Sequence, residues 1–419
     1  MIKFSDSERS LPLWQKLRDK TNPNFVSAMR ELYSIYDAQL CEWFASLYDP
    51  EIGGFYYSPS ARDNHTVIYK DKEYELLPDI ESTWQTLDFI KTSGVAEGYA
   101  DPFRDFLPTE MQKKLHGFAY SMQDPDGYFY HKQWGKDITL SRRGRDLGSG
   151  RAVIRAFGGT PKYASVIDSG AKSEETLIPD HLTSRSKFID YLDSLDIPNM
   201  SYHAGNTLAS QFSQIDSMGL TETCIEYLNA LQHKDTGHWH TETNYYAVSG
   251  IMKITVFYKN AKRLIPNSER AAFAALDAIG SEEPCISITQ IWNTWYALRN
   301  IITTMRLFGE EGNSIADGVI SSMYKNSVTA IRKTAEKTLP FKKPGSSFSY
   351  GVDYPCIVSQ GSPVCIPHLC EGDVNATVMA SNLMTGVVFG ALELSECEVP
   401  LFGKEEGEAF LGIINSKIL

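Results

Sequence analysis

Long apolar runs, a cysteine framework and an excess of positive charge are all missing from this sequence of 419 residues. No apolar run approaches the roughly 20 residues that a helix needs to cross a bilayer, so we expect no membrane-spanning segment. The first ten residues, MIKFSDSERS, also lack the apolar stretch of a secretory signal peptide. Seven scattered Cys do not have the even number and short spacings of a disulfide framework. These features predict a cytoplasmic protein with reduced thiols.

Two further absences concern partners and domains. The net charge is −12, which disfavours nucleic acid and anionic membranes as partners, because both attract a basic surface. The sequence also has no Ser/Gly-rich linker and no low-complexity segment that would divide it. We therefore expect a single domain over residues 1–419, with a small molecule or an oligosaccharide as its partner.

Aromatic residues are abundant instead, with 22 Tyr and 20 Phe. A turn that contains Asp or Gly and ends in an aromatic cluster recurs as DPEIGGFYYS from Asp49, QDPDGYFYH from Gln123, QHKDTGHWHT from Gln232 and KPGSSFSYG from Lys343. Apolar residues at spacings of three and four precede each of the first three turns, which predicts an amphipathic helix there. Asp and Gly allow the chain to end that helix and turn back. The repeat predicts hairpins of paired helices.

Helices that are apolar on all sides are predicted to alternate with the amphipathic ones, as expected for buried helices. We predict six such inner helices, starting near Ile80, Asp146, His203, Asn244, Ile288 and Asp373. An outer layer is predicted from amphipathic segments at 183–195, 268–279 and 314–339, with a last helix at 405–417. The polar and aromatic stretches 57–79 and 129–145 are predicted to be hairpins or loops over one end.

This alternation predicts an all-α fold, an (α/α)6 toroid or six-hairpin barrel with short β-hairpins or loops at one end. An open solenoid is the alternative architecture, and the toroid is favoured because the two ends of the chain lack capping repeats. In a toroid the pocket lies at the end where the inner helices begin. Polar residues at those starts are therefore predicted to face it.

The motifs resemble those of the broad (α/α)6-toroid class. YDPEIGGFYYS, ending at Ser58, is similar to the opening turn of N-acylglucosamine 2-epimerase-like and glycosidase-like toroids, and QDPDGYFYH resembles the Gln…Gly-aromatic repeats of terpenoid cyclases. The resemblance extends over most of the chain through short motifs, so it bears on fold more than on function. It implies a central pocket and leaves glycoside hydrolase, sugar epimerase and terpenoid cyclase as candidate activities.

Acids, amides and aromatic residues cluster at the predicted inner-helix starts. Cleavage of a glycosidic bond needs two carboxylates that face each other across the sugar. The carboxylates predicted to be catalytic are Glu81, Asp146, Glu371 and Asp373. The residues predicted to contact the substrate are Trp84, Arg145, His203, Asn206, Tyr245 and Trp292. For any one of these residues the competing interpretation is helix capping or simple solvation.

These residues favour a carbohydrate-active enzyme, a glycoside hydrolase acting on a short glycan, with no cofactor. A sugar epimerase with His203 as base is the first alternative. A terpenoid cyclase, a prenyltransferase or a non-catalytic binding toroid is the second, although the sequence has no DDxxD and no DxDD motif. No metal site is predicted. The one candidate zinc cluster is Cys356, Cys365, His368 and Cys370, for which buried free thiols are the favoured interpretation.

Overall fold

A computed structural model of the chain describes residues 2–168 and 173–418. Within those residues it contains seventeen α-helices and three two-stranded antiparallel sheets. The helices of the first half are α1 Leu11–Lys20, α2 Pro23–Tyr33, α3 Gln39–Ser46, α4 Pro59–Asn64, α5 Ile80–Thr92, α6 Thr109–Ser121, α7 Leu140–Ala156, α8 Arg185–Ser194 and α9 Ile197–Ser217. Those of the second half are α10 Thr221–Leu231, α11 Tyr245–Ala261, α12 Ser268–Gly280, α13 Ile288–Arg306, α14 Gly309–Thr338, α15 Val374–Ala380, α16 Asn382–Ala391 and α17 Lys404–Ile418.

The strands are short and lie in the connections between helices. They pair as β1 Tyr48–Asp49 with β2 Gly54–Phe55, β3 Thr66–Tyr69 with β4 Lys72–Glu75, and β5 Val358–Ser359 with β6 Ser362–Pro363. The chain is therefore mostly helical with a few short hairpins, which confirms the all-α prediction.

Polar side chains cap several helices close to their predicted starts. Asp79, Asn244 and Asp373 each accept a hydrogen bond from a backbone N–H in the first turn of α5, α11 and α15. These caps satisfy donors that a helix start leaves without an intrahelical partner. The capping interpretation therefore applies to Asp373, which the sequence also nominated as a catalytic acid.

Two inner helices start earlier than predicted. Helix α7 begins at Leu140 rather than near Asp146, because Thr139 caps it by accepting a hydrogen bond from the N–H of Arg142. Helix α9 begins at Ile197 rather than near His203, and its backbone is non-helical at Met200. The loop predicted over 129–145 therefore ends at Thr139, the cap residue of α7.

Contacts between helices run in a series through the apolar elements. Helix α5 contacts α7, α7 contacts α9, α9 contacts α11, and α11 contacts α13. Helix α13 contacts both α15 and α16, and these two contact α5, so the series returns to the helix where it began. Helices α6, α10 and α12 each pack against a member of this series.

One stretch among the described residues, 374–391, is long and apolar enough to cross a membrane by length and composition. It is 81% buried inside the protein, as the core helix of a folded protein is. It is also not one continuous helix, because the backbone breaks at Ser381 between α15 and α16.

Gly144 allows the close approach of α7 to α9. A Cβ atom at this position would overlap the backbone carbonyl oxygen of Ser210, whereas a Cβ atom at Gly148 on the same helix would meet nothing. We expect Gly144→Ala to lower the free energy of unfolding by about 1–3 kcal/mol, the usual cost of overpacking. Gly148→Ala should leave stability unchanged or raise it by up to about 1 kcal/mol. Urea denaturation of the two variants checks this, and equal stabilities would contradict the helix contact.

Candidate functional site

A cavity of about 560 Å³ lies where the helices of the closed contact series meet. Each of α5, α7, α9, α11, α13 and α15 contributes lining side chains, and the cap residue Thr139 and the segment 350–361 contribute the rest. A second space of about 400 Å³ shares six lining residues with the first, so the two form one central cavity. The shared residues are Trp84, Gln85, Arg145, Asn206, Lys253 and Trp292.

The central cavity contains most of the predicted substrate-contact residues. Trp84, Arg145, Asn206 and Trp292 line both parts of it, and His203 lines the larger part. Four different helices supply these five side chains, and the structure brings them together at one cavity.

Tyr245 is the exception. Its side chain lines a separate pocket between α11 and α12, where its hydroxyl lies 3.2 Å from the carbonyl oxygens of both Ala278 and Glu283. Lys337 donates a hydrogen bond of 2.6 Å to the same hydroxyl. Tyr245 is the first residue of α11, directly after the cap residue Asn244. At this position its ring faces α12 rather than the central cavity.

A buried ion-pair network joins α5 to α7 at the cavity wall. The guanidinium of Arg142 is fully buried and lies 2.6 Å from the Asp146 carboxylate, 2.9 Å from Glu81 and 3.6 Å from Asp79. Arg142 also lies over the ring of Trp134, at 4.6 Å from the ring centroid. These contacts satisfy a charge that could not otherwise be buried.

Arg145 extends the network into the central cavity. It lies 2.5 Å from the second oxygen of Glu81 and donates a 2.8 Å hydrogen bond to the side-chain oxygen of Asn206. Glu81 is therefore held by two guanidinium groups and, in addition, accepts a hydrogen bond from Ser359.

The network separates the pKa values of its acids. Burial alone would raise the pKa of Glu81, but the positive charges of Arg145 and Arg142 lower it to about 2. Burial raises the pKa of Asp146 to about 6, and the negative charges of its neighbours Glu81 and Asp79 add to this effect. Three carboxylates around Arg142 make the network rich in negative charge, so one of them retains its proton more readily.

The remaining predicted acids lie outside the cavity lining. The carboxylate of Asp373 accepts backbone hydrogen bonds from Ala376, Tyr350 and Cys356. Glu371 accepts hydrogen bonds from the backbone N–H and the hydroxyl of Ser60. The buried carboxylate of Asp146 is paired with the guanidinium of Arg142. Of the four acids nominated from the sequence, the structure places only Glu81 at the central cavity.

Two charged residues of the cavity were missed by the sequence analysis. Asp88 lies in the third turn of α5 and Lys253 in the third turn of α11, whereas only the helix starts were considered. Each is a charged residue in an otherwise apolar stretch, TLDFI and GIMKITV, and this contrast is a sequence feature that could have identified them.

Asp88 differs from Glu81 in its surroundings. Its carboxylate makes no hydrogen bond and no ion pair with any residue that the structure describes. Burial raises the pKa of Asp88, although the charge of Lys91 partly opposes this. The central cavity is therefore lined by one carboxyl with a lowered pKa and one with a raised pKa, seven residues apart on the same helix.

Several polar atoms of the cavity residues have no protein partner. Within the described ranges, the indole N–H of Trp292, the amide nitrogen of Asn293 and the amide oxygen of Gln85 are buried without a hydrogen bond. Buried polar groups are nearly always paired with protein, water or a ligand. These two donors and one acceptor are unpaired within the protein, and each atom is enclosed rather than exposed to the cavity.

The candidate zinc cluster is not assembled as a site. Residues 2–168 and 173–418 contain no group of three or more His, Cys, Asp or Glu side chains that could hold a metal ion. The thiol of Cys356 donates to the carbonyl of Val358, and that of Cys365 donates to the carbonyl of Cys356, while Cys370 is exposed. These cysteines are free thiols.

Comparison with known proteins gives no family for the chain: no protein-family model and no curated protein matches it. The function must therefore be argued from the site itself.

Arg142 should be essential to the stability of the cavity wall. We expect Arg142→Met to lower the free energy of unfolding by about 3–5 kcal/mol at pH 7, because it leaves buried carboxylates without their counter-charge. The loss should shrink below pH 6, since a carboxyl whose pKa is raised on folding favours the folded state at low pH.

The neighbouring Arg143 is a matched control, because it lies over the ring of Tyr128 and makes no ion pair with a described residue. Arg143→Met should cost about 1 kcal/mol or less. Denaturant unfolding at several pH values measures both variants, and equal losses would contradict a stabilising role for the network.

Proposed function

We propose that this chain is an (α/α)6 toroid whose central cavity binds a carbohydrate and hydrolyses a glycosidic bond. The toroid is supported by the closed series of helix contacts from α5 through α16 and back to α5. It is also supported by the cavity, which receives side chains from every member of that series except α16. An open solenoid would have no contact between its first and last inner helices.

The lining of the cavity suits a sugar. Trp84 and Trp292 offer indole surfaces on which the apolar C–H groups of a sugar ring can stack. Polar groups line the rest of the cavity, among them His203, Lys253 and Asn375, and such groups can bind hydroxyl groups, which act as both donors and acceptors. A hydrocarbon substrate would leave these polar groups without partners, which argues against a terpenoid cyclase.

The observation that favours hydrolysis is the pair Glu81 and Asp88. Two carboxyl groups whose surroundings move their pKa values in opposite directions are the usual arrangement for acid and base roles in one site. The raised pKa of Asp88 suits the general acid that protonates the leaving oxygen. The ionised Glu81 suits the carboxylate that activates water or stabilises positive charge on the sugar.

A second candidate function is proton transfer on a sugar, as in an epimerase. His203 lines the cavity, and burial lowers its pKa, so its imidazole is neutral at pH 7 and able to accept a proton. This candidate requires His203 and predicts exchange of a substrate C–H with solvent, without cleavage of a glycosidic bond.

Hydrolysis is tested by a screen of short glycans with the wild type, Glu81→Gln and Asp88→Asn. Each substitution should lower kcat by about 10²–10⁴-fold, the usual contribution of a positioned acid or base. Asp88→Asn is the more decisive variant, because Asp88 belongs to no ion pair and its replacement should preserve the fold. Wild-type rates in Asp88→Asn would contradict the assignment.

Asp190→Asn is the matched control, since Asp190 is an exposed carboxylate on α8, away from the cavity. It should hydrolyse every glycan at the wild-type rate. If the wild type cleaves no glycan but incorporates deuterium from D₂O into a sugar, and His203→Asn abolishes that exchange, the epimerase candidate replaces the hydrolase.

A further inference from the structure

Lys253 is a cation without a partner in the central cavity. It lies midway along α11, lines both parts of the cavity, and is largely shielded from solvent. Its ammonium makes no ion pair and no hydrogen bond with any residue that the structure describes, and it lies 5.7 Å from the centroid of the Tyr202 ring. A buried charge without a counter-charge is uncommon in a folded protein.

Arg145 is the charged group that affects Lys253 most strongly. Its guanidinium lowers the pKa of Lys253, after the larger effect of burial, whereas Glu81 opposes both with a smaller effect. The result is a pKa of about 7 for Lys253. Two cations therefore border the same cavity, and Arg145 lowers the pKa of Lys253 by more than Glu81 raises it.

The other charged groups around the cavity do not neutralise Lys253. Both oxygens of Glu81 are held by Arg142 and Arg145. Asp88 lines the cavity but forms no ion pair with Lys253, and His203 is a neutral base at pH 7. Lys253 therefore lacks a negatively charged partner among the described residues of the cavity.

We propose that Lys253 and Arg145 form a binding site for an acidic group on the substrate, a carboxylate or a phosphate carried by a sugar. This inference rests on the proposed function, since it specifies the class of carbohydrate that the cavity accepts. An anion between the two cations would relieve their repulsion and give Lys253 the counter-charge that no described residue supplies. Arg145 retains N–H groups for it beyond those that bind Glu81 and Asn206.

The expected ligands are thus sugar acids or sugar phosphates rather than neutral sugars. Binding of the anion should favour the protonated form of Lys253 and raise its pKa, so affinity should be highest below pH 7 and fall as the pH rises above it. Glu81 stays ionised across this range because its pKa is about 2, and a neutral sugar should show no comparable change.

Calorimetric titration with D-glucuronate, D-glucose 6-phosphate and D-glucose tests the proposal. We expect one or both of the acidic sugars to bind the wild type at least roughly tenfold more tightly than glucose, as for hydrogen bonds to a charged group. The first two ligands distinguish a carboxylate site from a phosphate site. Lys253→Met should reduce the preference to about twofold or less, and Lys253→Arg should restore part of it.

Lys259→Met is the matched control, because Lys259 lies on the same helix and is also half-buried but does not itself line the cavity. It reaches the cavity wall only through the hydroxyl of Tyr296, to which its ammonium donates a hydrogen bond. It should keep the full preference for acidic sugars. Equal binding of acidic and neutral sugars by the wild type would overturn the anion site while leaving a carbohydrate cavity in place. A preference that survives Lys253→Met, or no binding of either acidic sugar, would also overturn it.

Tight binding of an acidic sugar that Lys253→Met abolishes, in a protein that cleaves no glycan, would support the anion site and refute the hydrolase. The two proposals can therefore fail separately.

Discussion

The arrangement of the cavity depends on the charge of Arg142. This guanidinium is buried among carboxylates of α5 and α7, and the two helices would otherwise present like charges to each other across a dry interface. By holding Glu81 it also fixes the position of Arg145, whose guanidinium reaches the cavity from the following turn. The acid that is proposed to act on the sugar and the cation that is proposed to bind its acidic group are thus both oriented by one side chain that does not line the cavity.

Local sequence rules predicted where the helices lie better than they predicted which charged residues of those helices are buried. The starts at Ile80, Asn244 and Ile288 follow from apolar periodicity and from capping residues, which act within one turn of the chain. The start of α7 was displaced because SRRGRD looks like a polar loop, and only the tertiary ion pairs explain why its charges are buried in a helix. Burial of a charge depends on partners far along the chain, and a local pattern does not contain them.

The same distinction separates the predicted residues that line the cavity from those that do not. Trp84, Arg145, His203, Asn206 and Trp292 each lie on a helix that the sequence predicted to be an inner one, and all five side chains line the cavity. Asp373 was nominated from residue type at a helix start, where a carboxylate more often binds backbone N–H groups, and the structure gives it that role. Asp88 and Lys253 were passed over because they lie deeper along their helices than the starts.

The hairpin of β5 and β6 brings together parts of the cavity wall that are distant in sequence. Ser359 donates to Glu81 from 278 residues further along the chain, and the side-chain oxygen of Gln360 accepts hydrogen bonds from Ser141 and Asn206. During synthesis the first three inner helices therefore leave the ribosome long before the segment that completes their polar wall. Until residue 360 has emerged, these charged helices lack the hydrogen bonds that later order them and are exposed to aggregation. The polar wall of the cavity can therefore form only at a late stage of folding.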